Sequence, residues 1–257
     1  MSRCFLTGSK GFIGTYLRQH LEANGDTILG TSDEPLDGLY ETPPIPYQTD
    51  VVYHLGALVR PQESMTWRRG YLDANVTGTV KVLEAVRLQA PNAKVVLFGS
   101  GTQDHLDSWY GYTKQMCELA GEAYAKFDSI PVYKLRLFGV TGAGKTGDVI
   151  NDFAEQAVRD GRIQHGRLDY ARDISDVRDV VPAIVDLVTR HPAGSYYIGR
   201  GEATSIEYIA KWFGVPLSQD QRRVRNEAPT HVSPAHSVKG RPIDETLVWV
   251  RESYVVK

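Results

Sequence analysis

A short apolar run, Cys4-Phe5-Leu6, is followed at once by Thr7-Gly8-Ser9-Lys10-Gly11-Phe12-Ile13-Gly14. An amphipathic stretch, Phe12–Asn24, then runs to Gly25. Strand, glycine loop and helix in that order admit few folds. Glycines allow a tight turn and let a ligand approach the backbone, and the helix N-terminus offers unpaired N–H groups to an anion. The spacing Gly8-x-x-Gly11-x-x-Gly14 is looser than the dinucleotide fingerprint. A tight strand–helix turn without a ligand therefore stands beside the pyrophosphate-binding reading, which the position after the first strand favours.

The same alternation continues. Thr27–Thr31, Asp50–Leu55, Lys94–Phe98 and Val132–Phe138 read as strands, with helices predicted over Asp73–Gln89 and Trp109–Phe127. Strands separated by helices imply right-handed crossovers and a parallel sheet. The expected fold class is α/β, a Rossmann-type doubly wound parallel sheet with a smaller C-terminal lobe. Residues 32–49 contain Pro35, Pro43, Pro44 and Pro46 and are too short for a full helix and strand, so an abbreviated connection is predicted there. Beyond Gly139, helices are predicted over Val149–Asp160, Asp176–Thr189 and Ser205–Phe213, with a strand at Ser195–Ile198. The division drawn from this is 1–140 for the dinucleotide-binding domain and 141–257 for a substrate-binding lobe partly interleaved with it.

Composition restricts partners more than it identifies them. The 257 residues carry a net charge of −2, which gives no general attraction to nucleic acid or an anionic membrane. The two cysteines, Cys4 and Cys117, lie in segments that read as buried, and neither has metal-ligand spacing. A reduced, cytoplasmic protein without a bound metal is expected. No stretch is long and apolar enough to span a bilayer.

Tyr110-Gly111-Tyr112-Thr113-Lys114 puts a phenol and an ammonium one helical turn apart. A cation beside a phenol favours phenolate, so the pair suits acid–base work. An exposed i,i+4 pair is the plain alternative. Ser100 ends a buried strand just upstream, on the edge where parallel sheets bind ligands, and its hydroxyl is placed to hold a substrate oxygen. Asp33, just past the second strand, fits a ribose 2′-hydroxyl and would repel a 2′-phosphate; a solvated turn acid is the other reading. NAD or NADP is the expected cofactor, with a lean to NAD.

Taken together, TGSKGFIG, HLGALVRPQES at His54–Ser64, NVTGTVKVLEAVR at Asn75–Arg87, YGYTK, KLRLFGVTGAG at Lys134–Gly144 and RLDYARDISDVRDVVPAIVDLV at Arg167–Val188 resemble the extended short-chain dehydrogenase/reductase family. These are the nucleotide-sugar epimerases, dehydratases and reductases, and the last segment most resembles the GDP-4-keto-6-deoxy-mannose reductases and their dehydratase relatives. The resemblance runs from residue 3 to about 213. It implies that Tyr110 is the acid/base, Lys114 the ribose-binding cation, and Ser100 or Thr102 the hydroxyl partner. It further implies cofactor contacts from Gly8, Gly11, Phe12, Ile13, Gly14, Ser32, Asp33, Leu55, Gly56 and Ala57. Arg172, Arg241 and Asn151 would meet a nucleotide-diphosphate sugar. For Arg172, an ion pair with Asp173 or Asp176 is the alternative reading; for Arg241, a surface turn.

The chain also departs from the family. The usual catalytic hydroxyl position falls on Gly101, the segment before the tyrosine helix shrinks to Thr102–Trp109, and Gly139 stands where the family has asparagine. The Thr-Asp-Glu run of the dehydratases is replaced by Gly101-Thr102-Gln103-Asp104, which argues against water elimination. The sequence therefore predicts 4-keto reduction of a nucleotide sugar, with 4-epimerisation as the alternative and a catalytically impaired cofactor binder as a second. A homodimer is expected through the Asp73 and Tyr110 helices, which in the family pair as a four-helix bundle.

Overall fold

The computed structural model describes residues 1–33, 42–224, 232–234 and 238–255, apart from the side chain of Thr102. In chain order the elements of the first half are β1 (Arg3–Thr7), α1 (Phe12–Ala23), β2 (Thr27–Ser32), β3 (Val51–His54), α2 (Pro61–Thr66), α3 (Arg68–Tyr71), a π-helical turn (Leu72–Thr77), α4 (Gly78–Gln89), β4 (Lys94–Ser100), a 3₁₀ turn (Gly101–Asp104), α5 (Trp109–Phe127) and β5 (Val132–Leu137). Then follow β6 (Gly139–Thr141), α6 (Val149–Asp160), β7 (Ile163–His165), β8 (Ala171–Asp176), α7 (Val177–Arg190), β9 (Ser195–Ile198), β10 (Ala203–Ser205), α8 (Ile206–Trp212), β11 (Leu217–Gln219) and α9 (Ile243–Val255). The chain divides into two compact units, Met1–Leu137 with Ile184–Tyr196, and Phe138–Ala183 with Tyr197–Lys257.

The first unit holds a six-stranded sheet in the order β2-β1-β3-β4-β5-β9. β1 pairs with β2 and β3, β3 with β4, and β4 with β5, all in parallel. The strands are covered on both faces, so Cys4, Phe5, Leu6, Val52, Val95 and Val96 are buried on consecutive positions rather than alternate ones. Strand order reverses between β1 and β3, because β2 lies on one side of β1 and β3 on the other. This switch point opens a crevice beyond the carboxyl ends of the strands. Residues 42–50, the described part of the connection from β2 to β3, contain neither helix nor strand, and β2 is the outer strand. Glu34–Glu41, with Pro35, lie outside the described residues.

The helix predicted over Asp73–Gln89 begins as the π turn and becomes α-helical only at Gly78. Leu83 and Val86 of this helix, through which a homodimer is expected, are fully buried against the sheet together with Phe5, Val52 and Val95.

The second unit has its own core, built by Ile150, Phe153, Ile163, Ile174, Ile209 and Leu247. Trp212 and Phe213 pack there edge to face. β8 pairs antiparallel with β10 and parallel with β6, and β7 pairs with β11. Asp173 on β8 is 2% exposed and accepts three backbone N–H groups, from Arg200 at 3.0 Å, Gly201 at 2.9 Å and Ser233 at 3.0 Å. One carboxylate thus ties two loops to β8. Asp173→Ala is expected to lower unfolding free energy by at least about 3 kcal/mol, since hydrogen bonds to a charged group contribute about 1.5–3 kcal/mol each. Denaturant titration measures this.

Candidate active site

The glycine loop is shaped by backbone-on-backbone packing. Gly8 has φ +67°, and a Cβ there would lie 2.7 Å from the Gly56 nitrogen; a Cβ on Gly14 would collide with the Gly8 carbonyl oxygen. Gly8 N–H donates to the Ser32 carbonyl at 3.1 Å, and Gly11 N–H to the Gly8 carbonyl at 3.0 Å. Gly11 is the N-cap of α1, and no side chain caps the helix. The N-terminus of α1, without such a cap, suits an anion at the switch point. A Cβ at Gly11 would meet only the Gly8 carbonyl, at 3.2 Å. A dinucleotide pyrophosphate fits this cradle. Phe12 and Ile13 follow on the first turn of α1, where Phe12 packs edge-on against Tyr16.

Asp33 sits just past β2. Its carboxylate accepts from the Ser9 hydroxyl at 2.9 Å and the Lys10 N–H at 3.3 Å, with the Lys10 ammonium 3.8 Å away. It therefore belongs to the loop rather than to a solvated turn. Leu55 N–H bonds the Thr7 carbonyl, Gly56 N–H bonds the Thr7 hydroxyl, and Ala57 follows half-buried.

Tyr110 enters through the N-terminus of α5. Ser108 caps that helix by accepting Gly111 N–H, and Tyr110 N–H donates to the buried Ser64 hydroxyl at 3.0 Å. The Tyr110 side chain is 8% exposed and its phenol is hydrogen-bonded to Ser100. Burial pushes the phenol up to about 12, and the Ser100 bond opposes that rise. Lys114 Nζ lies 6.0 Å from the Tyr110 ring centre and donates to the Phe98 carbonyl at 2.8 Å. Burial pushes its ammonium below the usual lysine range. Of the two hydroxyls the sequence offered, Ser100 is hydrogen-bonded to Tyr110, and the Thr102 side chain lies outside the described residues.

Behind these groups runs a buried polar chain that sequence reasoning did not assign. Thr79 Oγ1 donates its only proton to the Asn75 carbonyl at 2.7 Å, so it accepts from His54 Nε2 at 3.1 Å. His54 Nδ1 is then the acceptor for the Thr7 hydroxyl at 2.7 Å. The Asn75 amide spans the Leu58 backbone, accepting its N–H and donating to its carbonyl, and also donates to Thr113 Oγ1, whose proton goes to the Tyr110 carbonyl. The available sequence signal was polar side chains at Asn75, Thr79 and Thr113, positions that the helical pattern buries. Asn75 lies in the π turn, a distortion frequent at functional sites.

In the second unit, the Arg172 guanidinium lies 4.5 Å over the Tyr170 ring and donates to the Ala171 carbonyl. Asp176 pairs with Arg178 at 2.7 Å. Arg241 pairs with Asp179 at 2.9 Å. Asn151 is 2% exposed; its amide donates to Gly142 O and Asp148 Oδ1, and its oxygen accepts from Tyr254. It holds the loop before α6, which leaves neither amide N–H for a sugar nucleotide. Arg222 pairs with Asp220 and Arg223 with Asp152, and Arg225 lies outside the described residues. Among the described residues no cluster of side chains fits a metal, and no helix is long and apolar enough to cross a membrane.

A parallel sheet with a switch-point glycine cradle, and a buried Ser-Tyr-Lys group on the adjoining strands and helix, define a Rossmann-type dinucleotide-binding enzyme. Residues 4–199 match the model of the NAD dependent epimerase/dehydratase family, and the chain belongs to that family. It is 25% identical to the GDP-6-deoxy-D-mannose reductase of Pseudomonas aeruginosa, over 97% of this chain and 92% of the relative. It is 26% identical to a probable UDP-glucuronate 4-epimerase of Rhizobium meliloti, over 81% of this chain but only 65% of that protein. Among solved structures, MoeE5 in complex with UDP-glucose and NAD superposes with a TM-score of 0.81 at 25% identity, covering 98% of both chains. The family and fold expected from sequence are those found, and the cofactor is a nicotinamide dinucleotide.

His54 carries a pH signature. Burial pushes its imidazole down to about 3. Above the unfolded value of about 6.5 both states are neutral; below it the unfolded chain binds a proton that the folded chain refuses. Stability is therefore expected to fall as pH drops from about 6.5 toward 3, by up to about 1.4 kcal/mol per pH unit from this residue. His54→Asn should flatten that slope in denaturant titrations run across the window.

Proposed function

We propose that the protein is a nicotinamide-dependent oxidoreductase that reduces the 4-keto group of a nucleotide-diphosphate sugar. The observation that carries this reading is the Tyr110 phenol, bonded to Ser100 and held protonated at neutral pH beside Lys114. A protonated phenol is an acid in waiting, which is what reduction requires of it. A reduced nicotinamide, when bound, would supply the hydride for the keto carbon. Ser100 orients the carbonyl oxygen, and Tyr110 gives its proton to that oxygen as alkoxide character develops. Lys114⁺ stabilises the phenolate left behind, and its two remaining N–H groups suit the ribose hydroxyls. Asp33 supports NAD over NADP, because a 2′-phosphate there would face a carboxylate. In the second unit, Arg172 and Arg241 keep the proposed diphosphate role, for which forked guanidinium donors are suited.

The alternative is 4-epimerisation, in which Tyr110 acts first as a base. Stoichiometry separates the two. With a nucleoside-diphosphate 4-keto-6-deoxy sugar, a reductase consumes one reduced nicotinamide per product. An epimerase interconverts 4-hydroxy epimers with no net consumption. Tyr110→Phe is expected to fold and bind cofactor as before while turnover falls by about 10²–10⁴-fold. A variant that keeps most of its rate in a steady-state assay sinks the assignment.

Assembly belongs to the same reading. Tyr112, Met116 and Leu119 recur at helical spacing on α5 and are 43%, 37% and 59% exposed. We infer a homodimer formed through this stripe and the helix that begins near Asp73, with an isologous apolar interface. Leu119→Asp is expected to yield monomers in sedimentation at micromolar concentration, because a buried unpaired charge is costly. A wild-type protein that sediments as a single chain overturns the dimer.

A further inference from the structure

The glycine at position 101 leaves this chain without a hydroxyl where its family usually has one, so the hydroxyl bonded to Tyr110 comes from the last residue of β4. A serine at a strand end is oriented by whatever holds its peptide. Here strand pairing sets Ser100 beside Leu137 of β5, and its N–H is held by Gln103. The Gln103 Oε1 accepts the Ser100 N–H at 2.9 Å from the 3₁₀ turn that follows the strand, and the side chain is 2% exposed. The amide orientation is fixed by chemistry, since only the oxygen accepts from an N–H. Its Nε2 is then buried with no acceptor among the described residues. A buried donor left unsatisfied is disfavoured, and such groups concentrate where position matters more than stability.

The surroundings fit the same role. A Cβ on Gly99 would lie 2.6 Å from Gln103 Oε1 and 2.9 Å from Glu118 Oε1, so the glycine makes room for both side chains. Glu118, 4% exposed, lies on α5 two turns beyond Tyr110 and takes the Arg136 guanidinium through both oxygens, at 3.1 and 2.8 Å. Arg136, from β5, also bonds Asp104 of the short turn at 2.5 Å. The helix that carries Tyr110, the turn that follows Ser100 and the neighbouring strand are thereby clamped together, with Gln103 beneath the clamp.

We propose that Gln103 is a positioning residue that aims the Ser100 hydroxyl at Tyr110, in place of the hydroxyl missing at position 101. This rests on the proton-transfer reading of Tyr110, but the contact itself is testable without substrate or cofactor. In protein labelled with ¹³C at tyrosine Cζ, the Tyr110 resonance is identified by its loss in Tyr110→Phe. Its shift at neutral pH reports the hydrogen bond to the phenol. Gln103→Met fills similar volume and removes both the acceptor and the unsatisfied Nε2. It is expected to move the resonance in the same direction as Ser100→Ala while changing the melting temperature little. In turnover assays the same variant should lose about 10- to 100-fold in kcat with KM nearly unchanged, the size of a misplaced reacting group. Added to Ser100→Ala, it should have no further effect. Gln103→Glu, which retains an oxygen acceptor, should restore the resonance. Should Gln103→Met fail to fold, Gln103→Asn carries the same expectations, because it withdraws the acceptor by one methylene. An unmoved Tyr110 resonance in a folded variant overturns the proposal, as does a kcat loss that adds fully to that of Ser100→Ala. A Tyr110→Phe enzyme of normal activity overturns the functional reading instead and leaves the resonance test standing.

Discussion

The Asn75 side chain sits at the centre of the first unit, and much of the site hangs on its hydrogen bonds. It closes both polar groups of Leu58 just beyond β3 and reaches Thr113 on the helix that carries Tyr110 and Lys114. Its own carbonyl takes the Thr79 hydroxyl and the Cys117 thiol. In a region this dry each of these groups would be costly to leave alone, so one amide over-determines where a loop and two helical segments lie. The π turn is the local distortion that accompanies this arrangement: the Asn75 carbonyl accepts the Gly78 N–H at the end of the turn and the two side chains besides.

From that amide the chain of partners passes through Thr79 and His54 to Thr7 at the end of β1, directly before the glycine cradle. The cradle and the acid–base group are thus joined by a polar path as well as by the sheet. His54 is the link that must stay neutral, because each of its nitrogens has one assigned role, one donating and one accepting. Burial enforces the same protonation state that the hydrogen bonds require. Local electrostatics and local geometry agree here, as they do at Lys114, whose ammonium is fixed by the Phe98 carbonyl on β4 while α5 supplies its direction.

The second unit is organised by a different device. Asp173 collects backbone N–H groups from two loops, and Asp176 holds Arg178 and Thr246. Arg178 in turn stacks at 3.6 Å on Trp249. Acidic residues on one strand thus do for this unit what the amide of Asn75 does for the first.

Much of the frame was legible in the sequence. The helices Trp109–Phe127 and Val149–Asp160 and the strand Ser195–Ile198 have the limits that periodicity and capping residues indicate. The glycine turn and the strand-end position of Ser100 were likewise readable, because each depends on neighbours within a few residues. The short strands β6, β7, β8, β10 and β11 and the small helices α2 and α3 were not read from the pattern. What only the tertiary structure decided are the pairings across long separations. His54 meets Thr7 47 residues away and Asn75 meets Thr113 38 away. The Ser100 hydroxyl reaches Tyr110, Asn151 bonds its own loop, and residues Ile184–Tyr196 return to the first unit. The physical reason is the same in each case. Local sequence sets which segments become strands and helices, but a buried polar atom takes whichever partner the order of the sheet brings within 3 Å, and that order exists only once the whole core has packed.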